Sequence, residues 1–392
     1  MNATKKVGER FDWTLCLLLF LFFLVSIVSI TSAQTSGQYM DNFALRQVVW
    51  YGIGAFIIAV AIYLEPDQYW KLSWIAFGFG ILLLAFLLVA PESIAERRNG
   101  AKSWYTLPGI GSIQPAEFMK TFLILALSRL IAQHHLVNPV KTLKTDGWLF
   151  LKITVLSSIP LGLVMLQPDL GTALVFIAII LGMLLVSGIS WKILIPVFTF
   201  GAAFATTIIL LIIYRGEWIS NFLEIDSYQL GRIYSWLDPY SSAQNDAYNL
   251  IQALTAIGSG EVTGKGFNGG EVYIPEQHTD FIFTVIGEEY GFIGASIVIS
   301  LFFLLIYHLI KVALDTKTPF NAYIITGVIS MMTFHVFQNI GMSIQVLPIT
   351  GIPLPFISYG GSSLMGNMLA MGLVFSIRFH HKTYMFSSDR DD

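Results

Sequence analysis

The sequence predicts an all-α integral membrane protein of about ten transmembrane helices, with a large extracellular loop between spans 7 and 8 and cytoplasmic N- and C-termini. Three observations carry this. Of 392 residues, 55% are hydrophobic and 12% are charged, against roughly 25% charge in soluble domains, so the apolar excess must face lipid. Ten apolar runs approach the roughly 20 residues that cross about 30 Å of hydrocarbon with every backbone group bonded inside its own helix. Lys and Arg also fall unevenly between the segments that separate those runs.

The runs lie at about 12–34, 45–64, 72–90, 115–133, 148–166, 170–187, 191–213, 281–310, 320–345 and 359–377. The first follows Lys5, Lys6 and Arg10; it reads either as a signal peptide ending near Thr31 to Ala33 or as an uncleaved span, and its length favours the span. With the N-terminus inside, 14 Lys and Arg fall in cytoplasmic segments. Seven fall outside: Arg46, Arg97, Arg98, Lys102, Arg215, Arg232 and Lys265. Residues 1–392 then form one polytopic membrane domain, with outer loops at 91–114 and 214–280. A loop as long as the second is expected to be functional or partly structured. Its stretch 247–257 has helical apolar spacing, which predicts a short helix on the membrane surface, broken by the Gly-rich 258–270.

The motifs divide between chemistry and plain structure. GSGEVTGKGFNGG at 258–270 is not a Walker A loop, because Ser259 stands where the first Gly is needed and Gly266 follows Lys265 in place of Ser or Thr. It reads as a flexible loop with Lys265 as a phosphate contact. In EQHTDFIFTVIGEE, Asp280 stands where the large loop enters an apolar helix, with Glu288 and Glu289 about two turns deeper. Asp280 is either a helix cap or a general base. Pro115 opens the fourth span, and Glu117 and Lys120 share one face as an ion pair or as the polar wall of a groove. Trp104, near Arg97, Arg98 and Lys102, belongs to an interfacial belt or stacks on a sugar. Pro168 and Asp169 suggest a turn and a cap. His335, Gln338 and Asn339 are spaced to hydrogen-bond neighbouring helices.

Other chemistries are excluded. The single Cys16 lies inside the first run, so neither an intrachain disulfide nor a Cys-based metal site can form. A net charge of −3 and the lack of a basic arm argue against nucleic acid as a partner. There is no zincin or Ser/His/Asp signature. Read from residues alone, the chain is a multi-span protein with an outward polar site built around carboxylates, with transporter and membrane enzyme both open.

NIGMSIQVLPITGIPLPFISYGGSS at 339–363 closely resembles the C-terminal signature of the SEDS family, the shape, elongation, division and sporulation proteins of bacteria. AKSWYTLPGIGSIQPAEFMK, LQPDLGTAL and the segment from AIGSGEVTGKG through PEQHTDFIFTVIGEEYG resemble further family motifs in the same order, so the likeness spans nearly the whole chain. GIPLPFISYGGSS and PEQHTDFIF look closer to the RodA (elongation) branch than to the FtsW (division) branch. Gln345 and Glu261 depart from the pattern where Gly is common, and Asn249 where Gln is frequent.

The resemblance implies a peptidoglycan glycosyltransferase acting on lipid II at the outer face of the bacterial cytoplasmic membrane. Its implied partners are a class B penicillin-binding protein and other membrane proteins of the elongation complex. Asp280 matches the family's essential loop carboxylate, and Trp104, Glu117 and Lys120 match residues of its cavity. That reaction needs a base for the acceptor hydroxyl and positive countercharge for the undecaprenyl pyrophosphate leaving group. Lys120, Arg97, Arg98 and Arg232 are the candidates for the countercharge, with a divalent cation (Mg or Mn) as a further source and no metal ligands assigned. A lipid II flippase and a non-catalytic scaffold are the rival readings.

Overall fold

Each of the ten apolar runs forms one helix in the computed structural model, which describes residues 10–35, 42–97, 101–107, 111–223, 227–240 and 246–381. In chain order these are α1 (Trp13–Thr35), α2 (Phe43–Tyr63), α3 (Pro66–Val89), α4 (Pro115–Val137), α5 (Leu143–Met165), α6 (Leu170–Val186) and α7 (Trp191–Leu223). Two loop helices follow, α8 (Ser227–Leu237) and α9 (Asp246–Ser259), then α10 (Ile282–Asp315), α11 (Pro319–Ser343) and α12 (Gly361–Phe379). Local chemistry sets the starts. Pro occupies the first turn of α3, α4 and α11, where a missing N–H costs nothing. The Asn42 and Asp169 side chains accept the Leu45 and Thr172 N–H groups as N-caps of α2 and α6.

Eight of these helices are long and apolar enough to cross a membrane, the span of α7 being Trp191–Tyr214. The chain is a multi-pass membrane protein. The two others depart for physical reasons. α6 has 17 residues, the lower limit for a span. α4 carries Glu117, Lys120 and Arg129, and most of it is buried against protein rather than lipid. It packs on α3, α11 and α12, while α12 also lies along α2. Gly54 and Gly372 let those last two approach, since a Cβ on either would meet Met368 or Ala61 at 2.7 Å. α7 stands at the periphery, with most of its described side chains exposed and only Leu194 and Ile212 buried.

The loops differ from expectation in three ways. Between α3 and α4 an antiparallel hairpin forms, β1 (Tyr105–Leu107) on β2 (Gly111–Ile113), with Thr106 opposite Ser112. The helix expected on the membrane surface is α9, but its apolar face is covered by protein. Ala247, Leu250, Ala253 and Ala256 are fully buried, and the last three pack with Ile274, Phe281, Met342 and Ile349. A stripe at i, i+3 spacing does not say whether lipid or protein covers it.

The third difference is the Gly-rich segment, which is a splice and not a flexible loop. α10 breaks at Gly291 (φ 59°, ψ −155°), which frees backbone groups that a helix would pair. The segment pairs them instead. Lys265 and Gly266 N–H groups donate to the Glu288 and Glu289 carbonyls, and Phe292 and Ile293 N–H groups donate to the Glu261 and Val262 carbonyls. Gly264 lies so close that a Cβ would sit 2.1 Å from the Glu289 carbonyl oxygen. The glycines therefore serve backbone-to-backbone approach rather than a phosphate.

Candidate active site

Residues 344–360, between α11 and α12, hold the GIPLPFISYG part of the signature in irregular backbone, as Pro353 and Pro355 require. Non-helical backbone inside a membrane bundle needs partners for its carbonyls, and three other helices provide them. The Ser26 hydroxyl donates to the Ile357 carbonyl (2.8 Å), Gln47 Nε2 to that of Ser358 (3.1 Å), and the Tyr51 hydroxyl to that of Phe356 (2.5 Å). Gln338 Nε2 donates to the Pro348 carbonyl at 2.9 Å. The signature is thus a buried strap pinned by α1, α2 and α11.

That strap locates Asp280. Asn339 Nδ2 donates both to the Asp280 carbonyl (2.7 Å) and to the Ile352 carbonyl (2.8 Å), tying the end of the large loop to the strap. A Cβ on Gly351, which holds a left-handed φ of 71°, would stand 3.3 Å from Asp280 Oδ2. Arg232 reaches the same place, its Nη1 3.5 Å from the Thr350 carbonyl. α8, which carries Arg232, is held there by Trp236 and Gln345, which bond each other's main chain at 3.0 and 3.1 Å. The half-buried Asp280 carboxyl is pushed up to about 6 by burial and by the Glu276 carboxylate, with the Arg232 guanidinium pulling the other way. Among the described residues neither of its carboxyl oxygens accepts a hydrogen bond. It does not cap α10, whose N-cap residue is Phe281.

The second cluster is intramembrane. Glu117 Oε2 accepts from Lys120 Nζ at 2.7 Å, and both side chains are buried. The same Nζ lies 3.0 Å from Nε2 of His335 on α11. At the end of the bundle that holds Asp280, Gln114 links the hairpin to α6 and α12: its N–H donates to Ser362 Oγ (3.0 Å) and its Nε2 to Asp169 Oδ2 (2.7 Å). Asp169 therefore caps a helix and braces the start of α4 at once.

The remaining predicted residues separate. Trp104 is half-buried between Ser103, which donates to the Gln167 carbonyl (3.2 Å), and Tyr105, which donates to that of Leu83 (2.7 Å). Arg97 is exposed, and Arg98 lies outside the described residues. Lys265 is not brought to Asp280; it pairs with Glu288 (2.7 Å) and Glu271 (3.2 Å), and the hydrogen bond that its ammonium donates to Glu288 holds it above the ordinary lysine range. Glu276, which sequence reasoning left without a role, raises the Asp280 carboxyl, while His335 and Asn339, expected to hydrogen-bond neighbouring helices, contact Lys120 and the Asp280 carbonyl. For His335 and Asn339 the sequence signal is polarity within an apolar run; Glu276, in a polar loop, carries none.

Residues 9–383 match the FtsW, RodA and SpoVE family model, described as cell cycle protein. The chain belongs to this family. Within it, the chain is 34% identical to the peptidoglycan glycosyltransferase MrdB of Escherichia coli strain K12, covering 97% of this chain and 98% of MrdB. It is 32% identical to the probable peptidoglycan glycosyltransferase FtsW of Thiomicrospira cyclica, over 97% and 95%. Among solved structures it is similar to a chain in a peptidoglycan synthase complex (TM-score 0.75, 27% identity, covering 94% of this chain and 97% of that one). Thermus thermophilus RodA aligns at TM-score 0.66 and 27% identity, over 94% and 96%. The departures from the family pattern now have a physical meaning. Glu261 and Gln345 stand at left-handed φ of 47° and 62°, where the glycine common in the family is unstrained.

Proposed function

We propose that this family member is a RodA-type peptidoglycan glycosyltransferase that polymerises lipid II at the outer face of the bacterial cytoplasmic membrane for cell elongation, with Asp280 as general base. Membership of the enzyme class follows from relatives of that name at 32% and 34% identity over nearly the full chain. One observation carries the assignment of the base: Asp280 is a carboxyl with no hydrogen bond to either oxygen among the described residues, pushed up to about 6, at the junction of the large loop and the signature strap.

The acceptor 4-hydroxyl gives its proton to the Asp280 carboxylate as its oxygen attacks the anomeric carbon of the donor. The bond from that carbon to phosphate breaks, and undecaprenyl pyrophosphate leaves with the electron pair. Arg232, beside Asp280, supplies countercharge to the leaving group, with Arg97 and Arg98 as further sources from the first loop. One displacement inverts an α-linked donor into a β-linked product, so no covalent nucleophile is required. Among the described residues no three His, Cys, Asp or Glu side chains converge on a position that could hold an ion, so no step is assigned to a divalent cation. Trp104 offers a face to a sugar, and a class B penicillin-binding protein cross-links the product. The structural likeness to a chain of a peptidoglycan synthase complex that coordinates polymerization and crosslinking supports that pairing.

The test is reconstitution of the purified protein with lipid II, with and without a class B penicillin-binding protein, and separation of glycan polymer on a gel. Wild type makes polymer and Asp280→Ala does not. Undiminished polymer from Asp280→Ala removes Asp280 as the base, and no polymer from wild type under any partner condition returns the flippase or scaffold reading.

A further inference from the structure

Lys120 has a partner that its own helix does not provide. Its ammonium is almost fully buried, with Glu117 Oε2 at 2.7 Å from one turn away and His335 Nε2 at 3.0 Å from a helix 215 residues further along the chain. The His335 ring is itself buried, and its Nδ1 lies 3.4 Å from the Pro353 carbonyl. A carbonyl only accepts, so Nδ1 carries the ring proton and Nε2 presents its lone pair to an ammonium that only donates. The strap thereby selects the tautomer that Lys120 needs.

Asn339 stands one helical turn from His335 on α11, and it holds Asp280 and Ile352. Successive strap residues, Ile352 and Pro353, therefore receive the side chains that hold the loop acid and the buried lysine. The lysine stem is long and flexible, and Glu117 on the same helix leaves it several directions. A ring anchored on a second helix leaves one.

We infer that His335 is a positioning residue for Lys120, and that α11 sets the placement of the Lys120 ammonium relative to Asp280 by holding both against one stretch of the strap. This rests on the glycosyltransferase reading above. It assigns His335 a role that a satisfied core histidine would not have: the ring must accept from Lys120 and donate to Pro353, which a glutamine amide can also do and an apolar side chain cannot.

The experiment compares His335→Leu, His335→Gln and Asp280→Ala in the reconstituted polymerisation assay with the partner protein, together with thermal melting of each purified variant. His335→Leu is expected to lower kcat at least about tenfold with KM for lipid II little changed, and His335→Gln to return it to within about threefold of wild type. His335→Met provides the same apolar comparison if the leucine variant does not fold. Folded apolar variants within twofold of wild type overturn the inference, as does a folded glutamine variant no better than the apolar ones. Loss of polymer in Asp280→Ala with full activity in the apolar His335 variants sinks this inference alone; polymer retained in Asp280→Ala sinks the reading beneath it.

Discussion

Asp280 and Glu288 stand eight residues apart at the same end of the bundle, and their surroundings are opposite. Glu288 is buried and saturated: one of its oxygens accepts from Lys265 Nζ (2.7 Å), Glu271 N (2.9 Å) and Val272 N (3.2 Å). Asp280 is held through its main-chain carbonyl, while its carboxyl faces the Glu276 carboxylate and the Arg232 guanidinium. The difference separates two uses of an acid. Glu288 is committed to holding the Gly-rich splice on the broken α10, whereas the Asp280 oxygens accept no hydrogen bond among the described residues, as the proposed base requires. A carboxylate close to a helix break is therefore not a functional site on depth alone, contrary to what hydropathy suggests.

The contrast is broken most severely by neutralising each acid in turn. Asp280→Asn should cost on the order of 100- to 10,000-fold in polymerisation while leaving the melting temperature at or above wild type. Glu288→Gln should do the reverse. Its weaker acceptor leaves Lys265 and two backbone N–H groups poorly paired, which destabilises by about 1–3 kcal/mol and lowers the melting temperature with activity retained in the folded fraction. Equal losses of activity and stability in both variants would erase the distinction.

A smaller effect sharpens it. Asp280 must be ionised to accept a proton and is pushed up to about 6, so kcat/KM should fall roughly tenfold per pH unit below that value. Removing the repelling carboxylate in Glu276→Gln should move this acid limb to lower pH, and removing the attracting guanidinium in Arg232→Gln should move it to higher pH. A limb that stays in place in both variants would mean that another group controls the profile. The sign for stability is opposite to the usual carboxylate case. The folded protein holds the Asp280 proton to higher pH than the unfolded chain does, so this one group costs stability as pH rises from about 4 to about 6.

The smallest expected change lies in the splice. Glu261 is exposed and strained at φ 47°, and it bonds through its main chain, its N–H donating to the Gly258 carbonyl (3.4 Å) and its carbonyl accepting from Phe292 N (2.9 Å). Glu261→Gly should stabilise by about 0.5–1 kcal/mol, seen as a small rise in melting temperature without a change in rate.

How far the site was legible follows from these same residues. Asp280 stood out because it is the last polar residue before an apolar helix, at a loop-to-helix junction within a recognisable motif. Glu117 and Lys120 were legible as a pair because three residues along a helix are neighbours in space. The partners of Lys265, Glu288 and Glu271, were not legible, because whether a glycine loop faces a phosphate or a broken helix depends on what lies across from it. The contact between His335 and Lys120 was not legible, since nothing in local spacing relates residues on separate helices.

By itself the sequence determined the solvent and the elements. Lipid offers no hydrogen bonds, so each crossing has to be a helix of roughly 20 apolar residues, and such runs are visible one at a time. Only the tertiary structure decided which polar groups spend their hydrogen bonds on one another and which remain available. The break at Gly291 is settled by Glu261, Val262, Lys265 and Gly266 on a separate segment, the strap by Ser26, Gln47 and Tyr51 more than about 300 residues away in the chain, and the turn of α11 that carries His335 and Asn339 by Lys120 and Asp280 on other elements. Satisfying buried polar groups is a condition on the whole bundle, and within it the Asp280 carboxyl accepts no hydrogen bond among the described residues.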